Sequence, residues 1–326
     1  MKYWDSYNSI APGHLIDVPV FLFDNLCYIC ILIVKNINTE NIMENLEYLV
    51  DDLIKIAIAE DLGDGDHTSL STIPADEQGA AQLIIKQDGI LAGIWVALKV
   101  FNAVDPALQV ELKLKDGAQV KKGDIAFIVR GRVISILQAE RLVLNFMQRL
   151  SGVATQTHIY ASKIADLHTK VLDTRKTTPG MRLLEKQAVK IGGGVNHRIG
   201  LFDMILIKDN HVDFAGGIAN AIKAAQEYCK AKGKNLDIEI ETRNLDEIRQ
   251  AMAVGGIRRI MLDNFDLEKT RKAVELIGGK YETESSGGIT LDTLRVYALT
   301  GVDYISVGAL THQIKSLDMS LKAIEA

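Results

Sequence analysis

The chain has 326 residues, of which 48% are apolar and 24% charged, with 26 glycines against 5 prolines. This composition excludes a disordered, collagen-like or disulfide-scaffold protein and allows two domains, or one large barrel with an appendage. With 37 basic and 42 acidic residues the net charge is −5, which argues against nucleic acid or an acidic membrane as a partner, so any anion site must be built locally.

In chain order, the first segment to stand apart is 1–42. Its apolar run 20–34, VFLFDNLCYICILIV, falls short of the ~20 residues a membrane-crossing helix needs, and it has neither a basic lead nor a small-residue cleavage site. Cys27-x-x-Cys30 within it lacks a second ligand pair and reads as buried thiols. With Cys229 the cysteines number 3, as expected in a reducing compartment, here the cytoplasm. From Met43 an amphipathic helix is expected, with Leu46, Leu49, Val50, Leu53, Ile54 and Ile58 on one face. Residues 1–42 therefore read as an extension of unclear status, with Met43 a candidate natural start.

Residues 68–130 are expected to be β-rich, with short apolar segments at 81–85, 90–95, 110–114 and 125–129 separated by turns such as Asp88-Gly89 and Asp116-Gly117. Helical spacing takes over at 133–165. From 170 onward strands near 170–174, 203–208, 236–241, 258–263, 280–285 and 302–307 alternate with amphipathic segments, a rhythm that implies a parallel sheet. Without a G-x-G-x-x-G opening, a closed or nearly closed (β/α) barrel is favoured over a doubly wound sheet. The expected domains are 43–150, α+β, and 151–310, the barrel, with a C-terminal helix at 311–326 packing on the first.

A barrel's site lies where the carboxyl ends of its strands meet. Here those ends are nearly all polar: Asp173-Thr174-Arg175-Lys176, Lys208-Asp209-Asn210-His211, Glu239 and Glu241, Asp263-Asn264, Glu284-Ser285-Ser286-Gly287-Gly288, and Val307-Gly308-Ala309. The Ser-Ser-Gly-Gly turn before a helix reads as a phosphate cradle, with Gly308 its second half. Glu241 and Asp263 offer hard oxygen ligands suited to Mg²⁺ shared with substrate phosphates. Arg141, Arg175, Lys176, His197, Arg198 and Lys208 supply positive charge for a small polyanion. Nucleophile-elbow and P-loop motifs are absent from the sequence, which removes support for acyl transfer and nucleotide hydrolysis.

The stretches at 173–211, 140–155 (ERLVLNFMQRLSGVAT), 60–69 (EDLGDGDHTS), 262–265 (LDNF), 284–289 (ESSGGI) and 307–312 (VGALTH) resemble the decarboxylating quinolinate phosphoribosyltransferases, the nicotinate-nucleotide pyrophosphorylase family of NAD synthesis. The resemblance implies transfer of phosphoribosyl from phosphoribosyl pyrophosphate to quinolinate, with Mg²⁺, giving nicotinate mononucleotide, pyrophosphate and CO₂. It implies an incomplete (β/α) barrel of about seven strands beside an N-terminal α+β open-sandwich domain. Arg141, Arg175, His197, Arg198 and Lys208 would meet the quinolinate carboxylates, with Thr174 and Lys176 adjoining. Glu241 and Asp263 would serve the ribose hydroxyls and Mg²⁺–pyrophosphate; Ser286, Gly287 and Gly308 would bind the 5′-phosphate. Lys208, Glu241 and Asp263 are the expected catalytic residues, in a homodimer or hexamer with Arg141 donated in trans. Gln187 departs from the family pattern, where an aromatic is expected, and 1–42 has no counterpart. The rival readings are the molybdenum-transport-associated paralogue and a non-catalytic barrel that binds phosphorylated metabolites. The intact cation set argues against the first, and the acid pair beside so many cations against the second.

Overall fold

The structure, a computed structural model, describes residues 46–325. The extension 1–42, Met43 and the Cys27/Cys30 pair lie outside the described residues. Helix α1 (Tyr48–Leu62) buries Val50 and Ile54 of the expected apolar face, while Leu49 is exposed and Leu46 precedes the helix. The short α2 (His67–Thr72) is capped by Asp66, whose carboxylate accepts from the Ser69 N–H at 3.1 Å. Apolar alternation then builds β1 (Gln78–Ile85), with Leu83 and Ile85 fully buried. It pairs antiparallel with β5 (Ile125–Arg132), which pairs in turn with β3 (Gln109–Leu112); β2 (Gly89–Ile90) and β4 (Gln119–Val120) form a separate two-stranded ribbon.

The segment 90–95, expected as a strand, is one only at Gly89–Ile90. Ile94 already begins helix α3 (Ile94–Val104) after Gly93 at φ 98°. The helix was hidden because, opposite the buried side of Ile94, Val96, Ala97, Val100 and Phe101, the less buried side also carries the apolar Trp95, Leu98 and Ala103, leaving too few polar residues to show a 3.6-residue period. Phe101 packs edge-on against Phe127 of β5 at 5.6 Å, joining helix to sheet.

Helix α4 (Val133–Lys163) runs 31 residues, straight through the boundary expected at 150. Its first half covers the antiparallel sheet and its second the barrel. Polar pins hold it: Ser151 Oγ accepts from Ala92 N at 2.9 Å and donates to Ala92 O at 3.0 Å. Thr155 Oγ1 accepts from Ile90 N at 2.8 Å.

The barrel strands are β6 (Lys170–Leu172), β7 (Ile205–Ile207), β8 (Ile238–Thr242), β9 (Arg259–Asp263), β10 (Glu282–Ser286) and β11 (Tyr304–Ser306), all parallel, in the order β6-β11-β10-β9-β8-β7. The intervening helices are α5 (Arg182–Ile191), α6 (Asp209–Phe214), α7 (Ile218–Lys232), α8 (Leu245–Val254), α9 (Leu267–Ile277) and α10 (Leu291–Ala298). The outer edge of β6 carries one parallel bridge, Leu172 to Val195, a seventh extended position. The barrel is thus incomplete, open between Val195 and β7.

The C-terminal region corrects another expectation. In place of a helix over 311–326, the short α11 (Ala309–His312) is followed by β12 (Met319–Ile324), antiparallel to β1 from Ala80↔Ile324 to Ile85↔Met319. Met319 and Leu321 are buried at alternate positions, and β1 offered an unpaired edge whose backbone groups require partners. Among the described residues, no helix is long and apolar enough to cross a membrane.

Candidate active site

Parallel pairing brings every polar strand end to one mouth. β6 leads into Asp173, β7 into Lys208, β8 ends beyond Glu241, β9 on Asp263, β10 on Ser286, and β11 runs into Gly308. At the acidic side, Lys208 Nζ lies 3.7 Å from Glu241 Oε2. Burial, and then the charge of Asp263, raise the pKa of Glu241 above the usual carboxylate range. Two acids held close enough to repel are a donor set that a divalent cation would relieve, and hard carboxylate oxygens suit Mg²⁺.

Asn264 follows at φ 56°, its Nδ2 donating to Asp263 Oδ2 at 2.7 Å and its backbone N–H to Ser286 O at 2.9 Å. It stitches the acid to the glycine turn. Gly287 sits at φ 103° so close to it that a Cβ would lie 2.1 Å from Asn264 Oδ1, which leaves room for glycine alone. At Gly308 a Cβ would meet His312 Nε2 at 2.7 Å and Lys176 Cδ at 3.2 Å. Lys176 and His312 line a cavity of about 550 Å³ together with Arg149, Thr177 and Thr178. Arg149 and His312 carried no assigned role in the sequence. Arg149 is tied down by Glu185 Oε1 at 2.7 Å, Thr178 Oγ1 at 2.9 Å and Thr311 O at 3.0 Å, which fixes the loops after β6 and β11.

On the cationic side, Arg175 and Lys176 are exposed, and Thr174 Oγ1 accepts from Lys176 N at 3.1 Å. Arg198 is half-buried, with Nη1 donating to Met204 O at 3.2 Å. Burial, followed by the Arg175 charge, lowers its pKa from the ordinary value, so two guanidiniums crowd one place. Such crowding favours an incoming anion. Arg141 is exposed on α4 and has no ion pair or hydrogen bond among the described residues.

His197 is buried, with Nδ1 accepting from Arg198 N at 2.8 Å and Nε2, which has no hydrogen-bond partner among the described residues, 3.0 Å from Glu239 Oε2. Glu284 Oε2 lies 3.5 Å from Nε2 and 2.9 Å from Arg259 Nη1. The cause is strand alternation: Glu239 is two residues before Glu241 on β8 and, like Glu284, fully buried, so both require donors inside the barrel. Strand spacing was the signal by which Glu239 and Glu284 stood out; Arg259 gave none.

Burial, and then the charge of Glu239, push Glu284 up to about 7. Its folded-state pKa thus exceeds the unfolded value near 4.5, so its contribution to stability is full below that value and is lost as pH rises through about 7. Urea midpoints are expected to fall over this interval, and Glu284→Gln to flatten the slope. Identical slopes for the two proteins would contradict the assignment.

A parallel α/β barrel open on one side, with crowded cations facing an acid pair and a glycine turn at the strand ends, defines an enzyme of small anionic, phosphorylated substrates. Comparison with known proteins gives the particular family. Residues 66–151 match the profile of quinolinate phosphoribosyl transferase, N-terminal domain, and residues 153–322 that of its C-terminal domain. The chain is 48% identical over 285 residues to the chloroplastic carboxylating nicotinate-nucleotide pyrophosphorylase of Arabidopsis thaliana, covering 83% of this chain and 81% of that protein. It is 44% identical over 262 residues to a probable nicotinate-nucleotide pyrophosphorylase of Bacillus subtilis, covering 80% and 89%. The solved nicotinate-nucleotide pyrophosphorylase of Francisella tularensis superposes with a TM-score of 0.80 at 43% identity, over 85% of this chain and 96% of that one. The chain belongs to the quinolinate phosphoribosyltransferase family.

Proposed function

We infer that the protein transfers the phosphoribosyl group of phosphoribosyl pyrophosphate to quinolinate with loss of CO₂, giving nicotinate mononucleotide and pyrophosphate for NAD synthesis. The observation that carries this reading is the opposition, across one barrel mouth, of the Arg175/Arg198 cation pair and the Glu241/Asp263 acid pair. A dicarboxylate fits the first and a ribose with its leaving group the second.

In this reading Arg175 and Arg198 hold the quinolinate carboxylates, with Thr174 and Lys176 adjoining, and so aim the pyridine nitrogen at C1′ of the ribose. Ser286, Gly287 and Gly308 present backbone N–H groups to the 5′-phosphate, anchoring the other end. Glu241 and Asp263 meet the ribose hydroxyls, and their charge stabilises the oxocarbenium character that develops at C1′ as the bond to pyrophosphate breaks. They are also the residues that would hold Mg²⁺, which when bound supplies positive charge to the departing pyrophosphate. The quaternised pyridinium ring then accepts the electron pair of the breaking C–CO₂ bond, and a proton replaces CO₂ on that carbon. Lys208, beside Glu241, is the ammonium placed to hold the scissile carboxylate or supply that proton. His197, buried with Nδ1 accepting from Arg198 N, adjoins this cation pair.

We further propose a cytoplasmic enzyme whose smallest competent form is a dimer, with Arg141 entering the partner's mouth. Arg141 projects from α4 one turn after the exposed Leu137. Leu137 lines a groove of about 380 Å³ that Ala81, Ile136, Leu321 and Ile324 wall and Glu77 and Glu140 rim, which a second copy would cover. The decisive assay follows labelled CO₂ from carboxyl-labelled quinolinate. Release should require phosphoribosyl pyrophosphate and match nicotinate mononucleotide mole for mole; no release with both substrates and Mg²⁺ present would refute the reading.

A further inference from the structure

We propose that Arg182 and Lys186 of α5 are positioning residues that set the spacing of the Arg175 and Arg198 guanidiniums, and so select a ligand whose two carboxylates stand on adjacent ring carbons. This rests on the reading of that side of the mouth as the quinolinate site.

The two arginines lie on separate loops, Arg175 just after β6 and Arg198 between α5 and β7 at the open edge of the barrel. Backbone pairing ends short of both. Val195 N donates to Val171 O at 2.9 Å and Asp173 N to Val195 O at 3.1 Å, and the parallel bridge stops there. Side chains of α5 continue the connection. Arg182 Nε donates to Thr177 Oγ1 on the first loop at 3.1 Å, and its Nη1 to Ile199 O on the second at 3.2 Å. One turn further along, Lys186 Nζ donates to Asp173 Oδ1 on the first loop and to His197 O on the second at 3.0 Å. Asp173 closes the link, its Oδ1 accepting from His197 N at 2.8 Å and its Oδ2 from Asn196 Nδ2 at 2.6 Å. Four residues apart, Arg182 and Lys186 share one helix face, and each reaches both loops. Arg175 is thus bracketed in the chain by Asp173 and Thr177, and Arg198 by His197 and Ile199.

Fastening each loop to the helix separately would fix where that loop sits; a side chain that holds both fixes the distance between them. Lys186 is fully buried, and its ammonium carries a desolvation cost that an apolar side chain at the same place on α5 avoids. Setting register is the best-attested use of such a buried charge. The helix is a firm base for it, since Leu183, Leu184, Ala188 and Val189 are buried and Glu185 Oε1 accepts from Arg149 of α4 at 2.7 Å. The two guanidiniums stand close enough to repel each other, so a loop left untied would let them move apart. Held together, they match two carboxylates on neighbouring carbons and fit a wider pair less well.

The test measures, by titration calorimetry, the dissociation constants of quinolinate and of lutidinate, the pyridine dicarboxylate in which one ring carbon separates the two carboxyl-bearing carbons. The wild-type protein should hold quinolinate at least about tenfold more tightly. Arg182→Met keeps the stem of a half-buried side chain and removes both of its ties. It should weaken quinolinate about tenfold and lutidinate no more than about twofold, with the KM for phosphoribosyl pyrophosphate also within about twofold. Lys186→Met should shift the same preference; if the Asp173 carboxylate left without its partner prevents folding, the Arg182→Met result decides alone. Unchanged quinolinate affinity in Arg182→Met, equal weakening of both dicarboxylates, as direct charge contact or general loosening would give, a matching rise in the KM for phosphoribosyl pyrophosphate, or a wild type without preference would each overturn the proposal. A wild-type protein that neither binds quinolinate nor releases CO₂ from it would instead refute the reading of the site.

Discussion

Arg175→Ala is expected to weaken quinolinate binding about ten- to hundredfold, whereas Glu241→Gln and Asp263→Asn keep quinolinate affinity and lose turnover by about 10²–10³. The first figure follows from removing one member of a charge-assisted pair, worth roughly 1.5–3 kcal/mol. The second follows from deleting fixed charge where the transition state develops its own. Arg175 is exposed, so its loss should move the unfolding midpoint little. Glu241 is buried at 8% exposure, which is why the isosteric amide is the informative change. Titration calorimetry with quinolinate alone, beside steady-state kinetics, separates the two classes. Three variants with one quinolinate affinity would break the division of the mouth into a dicarboxylate and a phosphoribosyl side.

A larger effect is expected from mixing two inactive proteins. If Arg141 serves the partner's mouth, Arg141→Ala and Arg175→Ala homodimers are both nearly dead, since every site lacks one arginine. After random exchange about half the dimers are mixed, and each mixed dimer has one site with both substitutions and one with neither. Recovery should approach about a quarter of wild-type activity. If Arg141 instead serves its own subunit's mouth, every site still carries one defect and nothing is recovered. Exchange verified by mass spectrometry without recovery would remove the shared site and leave the reaction standing. The reason to expect recovery is that Arg141 is exposed and has no ion pair or hydrogen bond among the described residues, one turn from Leu137, which lines the groove.

How much of this was legible in advance differs by element. The six parallel strands and their polar ends could be read directly, because a buried strand between two turns is local in sequence and its terminal residue always projects at the same rim. The glycine turn at Gly287 and the acids Glu241 and Asp263 were legible for the same reason, and the family motifs at 173–211 are themselves contiguous.

What the sequence left undecided depended on contacts between distant segments. Helix α3 was concealed because apolar residues on its less buried side, Trp95, Leu98 and Ala103, blur the periodicity by which a helix is recognised. Strand β12 looked helical until β1, more than 200 residues earlier, supplied the edge that made pairing the better way to satisfy its backbone. His197 belongs to the same class. A histidine beside an arginine at a cationic mouth reads as a ligand contact, and only the folded barrel shows that two buried glutamates approach it as well. Strand ends are set by local periodicity, which one segment carries alone; the direction of a buried polar side chain is set by whichever distant partners satisfy it, and these exist only once the chain has folded.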